Sequence, residues 1–117
     1  MLVDDHPAVR VALADLLEDE GYEVVGQGAN GLEALALARE HRPDSVVLDV
    51  RMPLVDGLEA ARRLHADYPA MRLVMLSAYD DPSLQEESLQ AGATAFLVKG
   101  CPRAELLAAL GGAGGDE

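Results

Sequence analysis

The stretch "VVLDVRMP", residues 46–53, sets the problem. Val46, Val47 and Leu48 are apolar without alternation, which is the mark of a strand covered on both faces. The strand runs straight into Asp49, and the nearest opposite charge along the chain is Arg51. A buried carboxylate is costly unless it is paired or holds a metal. The strand therefore calls for a sheet with helices on both sides, and its terminal acid calls for a partner from elsewhere in the sequence.

Outward from this strand, apolar runs alternate with amphipathic segments. Upstream lie "GLEALALAREH" (31–41), a helix stopped by Pro43, and "YEVVG" (22–26), a strand. Before them, "HPAVRVALADLLEDEG" (6–21) puts Val9, Ala12, Leu13, Leu16 and Leu17 on one helical face, with Pro7 in the first turn and Gly21 as a C-cap. Met1 to Val3 forms a short first strand. Downstream come the helix "LEAARRLHADY" (58–68), the strand "RLVMLS" (72–77) and the helix "PSLQEESLQAG" (82–92). The strand "TAFLVK" (94–99) and the helix "PRAELLAAL" (102–110) follow. This is a βα unit repeated five times, which predicts a parallel five-stranded sheet between two helical layers, with right-handed crossovers. Residues 1–110 read as one domain, and "GGAGGDE" (111–117) as a flexible tail or linker. Three residues before Asp4 make a short strand for a sheet interior, so the natural start is expected upstream.

Composition narrows the class. The chain has 117 residues, half of them hydrophobic, with three Tyr, one Phe and no Trp, so its core is aliphatic. A formal net charge of −12 argues against binding nucleic acid or anionic membrane with this domain, and suits basic partners or cations. The single cysteine, Cys101, cannot form an internal disulfide, which fits a reducing cytoplasm. No signal-peptide pattern and no apolar run of membrane-spanning length is present.

"GQGANG" (26–31) matches the dinucleotide fingerprint G-x-G-x-x-G, and Asp49 lies 18 residues beyond Gly31, near where a ribose-binding acid belongs. The match follows the second strand rather than the first, in a chain with five strands. It also leaves Asp4, Asp5, Ser77 and Lys99 without a role. Gly28, Asn30 and Gly31 are better read as a loop that caps the second helix.

Polar residues close four of the five strands: Asp4 and Asp5, Asp49, Ser77 and Lys99. In an open parallel sheet these ends share one edge, where ligands bind at the reversal of strand order. Each residue has a plainer reading by itself: Asp5 as a helix cap, Asp49 as a turn residue, Ser77 as a buried hydroxyl, Lys99 as a surface charge. Together, three converging carboxylates repel one another unless a divalent cation sits among them, and oxygen ligands suit Mg²⁺. A lysine and a hydroxyl beside them complete a site equipped for phosphoryl transfer.

From "LVDDHP" through "VVLDVRMPLVDG" and "VMLSA" to "AGATAFLVKG", the chain resembles the response-regulator receiver domains of two-component signalling. "DDHP" and "LVKG" are most similar to receivers of the NarL/FixJ type, which precede a helix-turn-helix output domain. The resemblance implies a flavodoxin-like (βα)5 fold with strand order 2-1-3-4-5 and a phosphorylation switch rather than an enzyme acting on external substrates. It implies that Asp49 accepts a phosphoryl group from a sensor histidine kinase. Mg²⁺ would be bound by Asp5, Asp49 and the backbone carbonyl of Arg51, with Asp4 acting through water. Lys99 would pair with Asp49 or its phosphoryl group, and Ser77 would turn in to the phosphoryl oxygen. Phe96 would be the aromatic that swaps between outward and inward positions; its plainer reading is a core residue. The face of the fourth helix, fifth strand and fifth helix would control a homodimer or an output domain, the latter being what meets DNA. Gly57 would let the loop after Asp49 turn into the third helix. Independently of the resemblance, Arg51 and Tyr79 lie two residues past Asp49 and Ser77, where their bulk is expected to screen the acyl phosphate from water. Many relatives carry a cis-proline after the lysine; here Gly100 predicts a trans bond.

Two rivals remain. One is a receiver-like module that signals by protein contact alone. The other is an aspartate-nucleophile phosphatase, which needs an acid where Arg51 stands. His6, His41 and His65 show no metal-ligand spacing, which speaks against zinc chemistry.

Overall fold

The computed structural model describes residues 1–111; residues 112–117 of the expected tail lie outside the described residues. The strands are β1 (Leu2–Val3), β2 (Gln27–Gly28), β3 (Ser45–Asp49), β4 (Arg72–Ser77) and β5 (Ala95–Val98). The helices are α1 (Pro7–Asp19), α2 (Gly31–His41), α3 (Gly57–Asp67), α4 (Pro82–Gln90) and α5 (Arg103–Ala109). All strand pairs are parallel, in the order β2-β1-β3-β4-β5. This is the flavodoxin-like arrangement expected from the sequence.

Local chemistry sets the helix ends. Pro7 opens α1, and Gly21, at φ 93°, closes it while the Tyr22 N–H reaches back to the Leu17 carbonyl at 2.9 Å. Asn30 caps α2 by accepting from the Glu33 N–H at 2.9 Å, and Glu33 accepts in return from the Ala29 N–H at 2.7 Å. Asp56 caps α3 and Asp81 caps α4 in the same manner.

The sheet's two faces carry separate cores. Val46, Leu48, Leu73 and Met75 face α2, α3 and α4, whereas Val47, Val74 and Leu76 face α1 and α5. That alternation along β3 and β4 is why both strands are apolar throughout. Leu48, Leu73 and Met75 are fully buried, each contributing roughly 1.5–3 kcal/mol by leaving water.

The structure departs from the sequence reading at two elements. Tyr22–Gly26, expected as the second strand, precedes β2, which pairs only over Gln27 and Gly28. A strand needs a neighbour, and β1 offers paired backbone only at Leu2 and Val3, with further bonds from the Leu2 N–H to Gly26 and from the Asp4 N–H to Gly28. On α1 the buried stripe is Ala14 and Leu17 with Leu13 and Leu16 beside them, and Ala12 is exposed. A lone methyl in a helix says little about which face is covered.

Candidate functional site

β1 and β3 are neighbours, and the order reverses between them, so their carboxyl ends open into one crevice. Asp49 ends β3, Asp4 and Asp5 follow β1, Ser77 ends β4 and Lys99 follows β5. Asp4, Asp49 and Ser77 are 2%, 4% and 3% exposed. Lys99 Nζ lies 3.0 Å from Asp4 Oδ2 and 3.2 Å from Asp49 Oδ2, so the partner that the buried aspartate requires comes from the far side of the sheet. The contact to Asp49 is a hydrogen bond; the contact to Asp4 is an ion pair without hydrogen-bond geometry.

One ammonium does not neutralise this cluster. Burial pushes the Asp49 carboxyl up, the neighbouring Asp4 charge adds to it, and Lys99 offsets only part. Burial also acts to raise Asp4, but the His6 backbone N–H, Lys99 and the His6 ring together hold it below the ordinary carboxylate value. Burial works against the charge on Lys99, yet the two aspartates more than reverse this and hold its pKa above normal.

The turn after β1 is tightly braced. The His6 N–H donates to Asp4 Oδ1 at 2.8 Å, and Arg10 Nη1 donates to the Asp4 carbonyl at 2.7 Å. His6 Nδ1 lies 3.0 Å from Asp4 Oδ1 and 3.1 Å from Asp5 Oδ1. Neither His6 nor Arg10 was legible as a site residue. By histidine spacing along the chain His6 stands alone; its adjacency to Asp5 at a strand end is the signal that marks it.

Potential ligand atoms of Asp4, Asp5, His6 and Asp49 lie within 4.8 Å of one another. Asp4 Oδ2 faces Lys99 Nζ at 3.0 Å and Asp5 Oδ1 faces His6 Nδ1 at 3.1 Å, neither with hydrogen-bond geometry, so both buried oxygens keep lone pairs for a cation. A hard, oxygen-rich donor set of this kind fits Mg²⁺.

Ser77 is at the site, but its Oγ accepts from the Tyr79 N–H at 3.0 Å and so belongs to the loop after β4. Arg51 and Tyr79 are both exposed. Phe96 pairs in register with Met75 and packs, half-buried, against the α2–α3–α4 core. A Cβ on Gly57 would collide with the Asp49 carbonyl oxygen, so that glycine is needed for close approach rather than for an unusual backbone angle. Gly100 has φ 88° with open space around it, and no peptide bond among the described residues is cis. Proline, locked near −65°, cannot take that angle. Burial and Glu105 push the Cys101 thiol up, which leaves it a poor nucleophile. The fingerprint-like glycines carry no phosphate cradle: Gly31 abuts the Val55 backbone, and Glu33 places a carboxylate at the N-terminus of α2.

An acidic crevice with one lysine, at the reversal point of a doubly wound sheet, defines a class of α/β switch and ligand-binding domains. Residues 1–111 match the family model of the response regulator receiver domain, and the chain belongs to that family of phospho-accepting switches in two-component signalling. It is 40% identical over 111 residues to the response regulator GacA of Pseudomonas viridiflava, covering 94% of this chain and 52% of GacA. The chain thus spans about half the length of the curated relatives it matches. The signal receiver domain of a response regulator NarL from Mycobacterium tuberculosis superposes with a TM-score of 0.87 at 36% identity, covering 93% of this chain and 89% of that one. A CheX–CheY complex with BeF3 and Mg²⁺ from Borrelia burgdorferi gives a TM-score of 0.87 at 30% identity, covering 94% and 84%. No helix among the described residues is long and apolar enough to cross a membrane.

Proposed function

We propose that Asp49 is the phosphoacceptor of this receiver, charged by a sensor histidine kinase in the cytoplasm. The observation that carries this is the buried carboxylate of Asp49, facing Lys99 Nζ at 3.2 Å beside two further aspartates. A carboxylate oxygen of Asp49 attacks the phosphorus of a phosphohistidine; the new P–O bond forms as the P–N bond breaks, and the departing imidazole takes up a proton. Asp5, Asp49 and the Arg51 backbone carbonyl would hold Mg²⁺, with Asp4 acting through water. The cation supplies charge neutralisation at the phosphoryl oxygens. Lys99 binds one phosphoryl oxygen, and Ser77 exchanges its bond to Tyr79 for one to another.

That movement draws the loop after β4 inward, and Phe96 follows into the space it leaves. The α4–β5–α5 face is thereby biased between two arrangements. In this reading residues 1–110 are the receiver and 111–117 lead toward an output domain. The altered face governs a homodimer or that output domain, through which transcription is controlled. The length of GacA and its like relative to this chain supports a further domain.

The test is intact-protein mass after incubation with acetyl phosphate and Mg²⁺, beside an Asp49→Ala control. A single phosphoryl adduct, lost without Mg²⁺ or without Asp49, is expected. A folded protein that takes up no phosphoryl group would overturn the reading and favour a module that signals by contact alone.

A further inference from the structure

One side chain in the crevice has no part in the reading above. His6 is the N-cap of α1, in extended backbone, and Pro7 after it restricts that backbone to the extended region. Its own N–H is tied to Asp4 Oδ1, so the imidazole stands on a short, braced turn. Nδ1 lies within 3.1 Å of both Asp4 and Asp5, while the side chain is 64% exposed. His41 lies at the end of α2 and the His65 ring packs under Gly92, so neither shares the crevice.

We propose that His6 Nδ1 is a nitrogen ligand of the cation site and makes that site favour divalent transition-metal cations such as Mn²⁺ over Mg²⁺. The inference rests on the cation site proposed above. An atom that already touches both acids is within reach of an ion they bind. Imidazole adds affinity for transition metals and little for Mg²⁺, which prefers oxygen and keeps its waters. The site therefore differs from an all-oxygen acidic pocket in its selectivity.

The experiment uses the full chain loaded with Mn²⁺ and examined by electron spin-echo envelope modulation, with Mg²⁺ competition read from the free Mn²⁺ signal. Nitrogen modulation is expected in the unsubstituted protein and is lost in His6→Gln. The Mn²⁺-to-Mg²⁺ affinity ratio falls about tenfold in that variant. Bound Mn²⁺ without nitrogen modulation in the unsubstituted protein overturns the role of His6 and leaves the phosphoacceptor reading intact, whether or not the variant folds. Mn²⁺ that fails to bind, or that binds equally to Asp49→Asn, overturns the cation site itself and this inference with it.

Discussion

Asp49 sits where folding and function pull apart. Its carboxyl is pushed up by burial and by Asp4, so its charge opposes folding at neutral pH. Between the unfolded pKa and the raised folded one, the native state holds the extra proton; above both, wild type bears the full penalty. Asp49→Asn is therefore expected to raise stability by roughly 1 kcal/mol at pH 7, about 4 °C in Tm. The gain shrinks to nothing as pH falls through the raised pKa toward the unfolded value. Thermal melts at pH 7 and below pH of about 3.8 check this, and a gain that persists in acid would refute the electrostatic cause. Asp4 has the opposite sign: held low, it contributes stability above the unfolded pKa that is lost as pH falls through its own. At the rim, Arg51 and Tyr79 are exposed two residues beyond Asp49 and Ser77. Removing either side chain is expected to speed loss of the phosphoryl adduct about threefold by admitting water, as followed by mass over time.

Among the elements, the loop from β3 into α3 shows how closely the site is built on backbone. The Gly57 N–H bonds to the Val50 carbonyl at 2.9 Å, and its missing side chain leaves room for the Asp49 carbonyl. Gly57→Ala must displace β3 or α3, and a destabilisation of about 3 kcal/mol is expected, with reduced phosphorylation. Gly21→Ala is the contrast: its φ is 93° but nothing lies within 4 Å of a new Cβ, so only about 1 kcal/mol of backbone strain is expected. Denaturant midpoints of the two variants decide the matter; equal losses would show that crowding at Gly57 is relieved cheaply. Caps are local: Asn30, readable as one from the sequence, and Asp56 and Asp81, which the structure adds, bond to N–H groups two or three residues ahead. The span of β2 was not readable, because Val24 and Val25 have the composition of a strand while the pairing partner is set by β1.

For the molecule as a whole, charge dominates. α4 and α5 carry Glu86, Glu87 and Glu105, and the one basic residue on α4, β5 and α5 is Arg103, which pairs with Glu20 at 3.1 Å. Two copies meeting through this face would bring like charges together. A phosphorylated homodimer through it is therefore expected to tighten about tenfold as salt rises from roughly 0.02 to 0.2 M, where the screening length falls to below about 10 Å. Sedimentation across that range tests this; a dimer that weakens with salt must be held by another surface.

Short-range chemistry and periodicity were enough to establish five βα units, a two-sided parallel sheet and polar residues at the strand ends. These follow from which residues can be buried and which can cap, and both properties belong to a few neighbours along the chain. The ion pairs of Lys99 with Asp4 and Asp49 span 95 and 50 residues, and Asp49 joins the local Asp4–Asp5–His6 turn only when β1 and β3 pair. The collision beneath Gly57 and the short span of β2 are likewise matters of distance between atoms that folding brings together. Pairing and close approach are properties of two partners at once, which is why they appear only when the sheet is assembled.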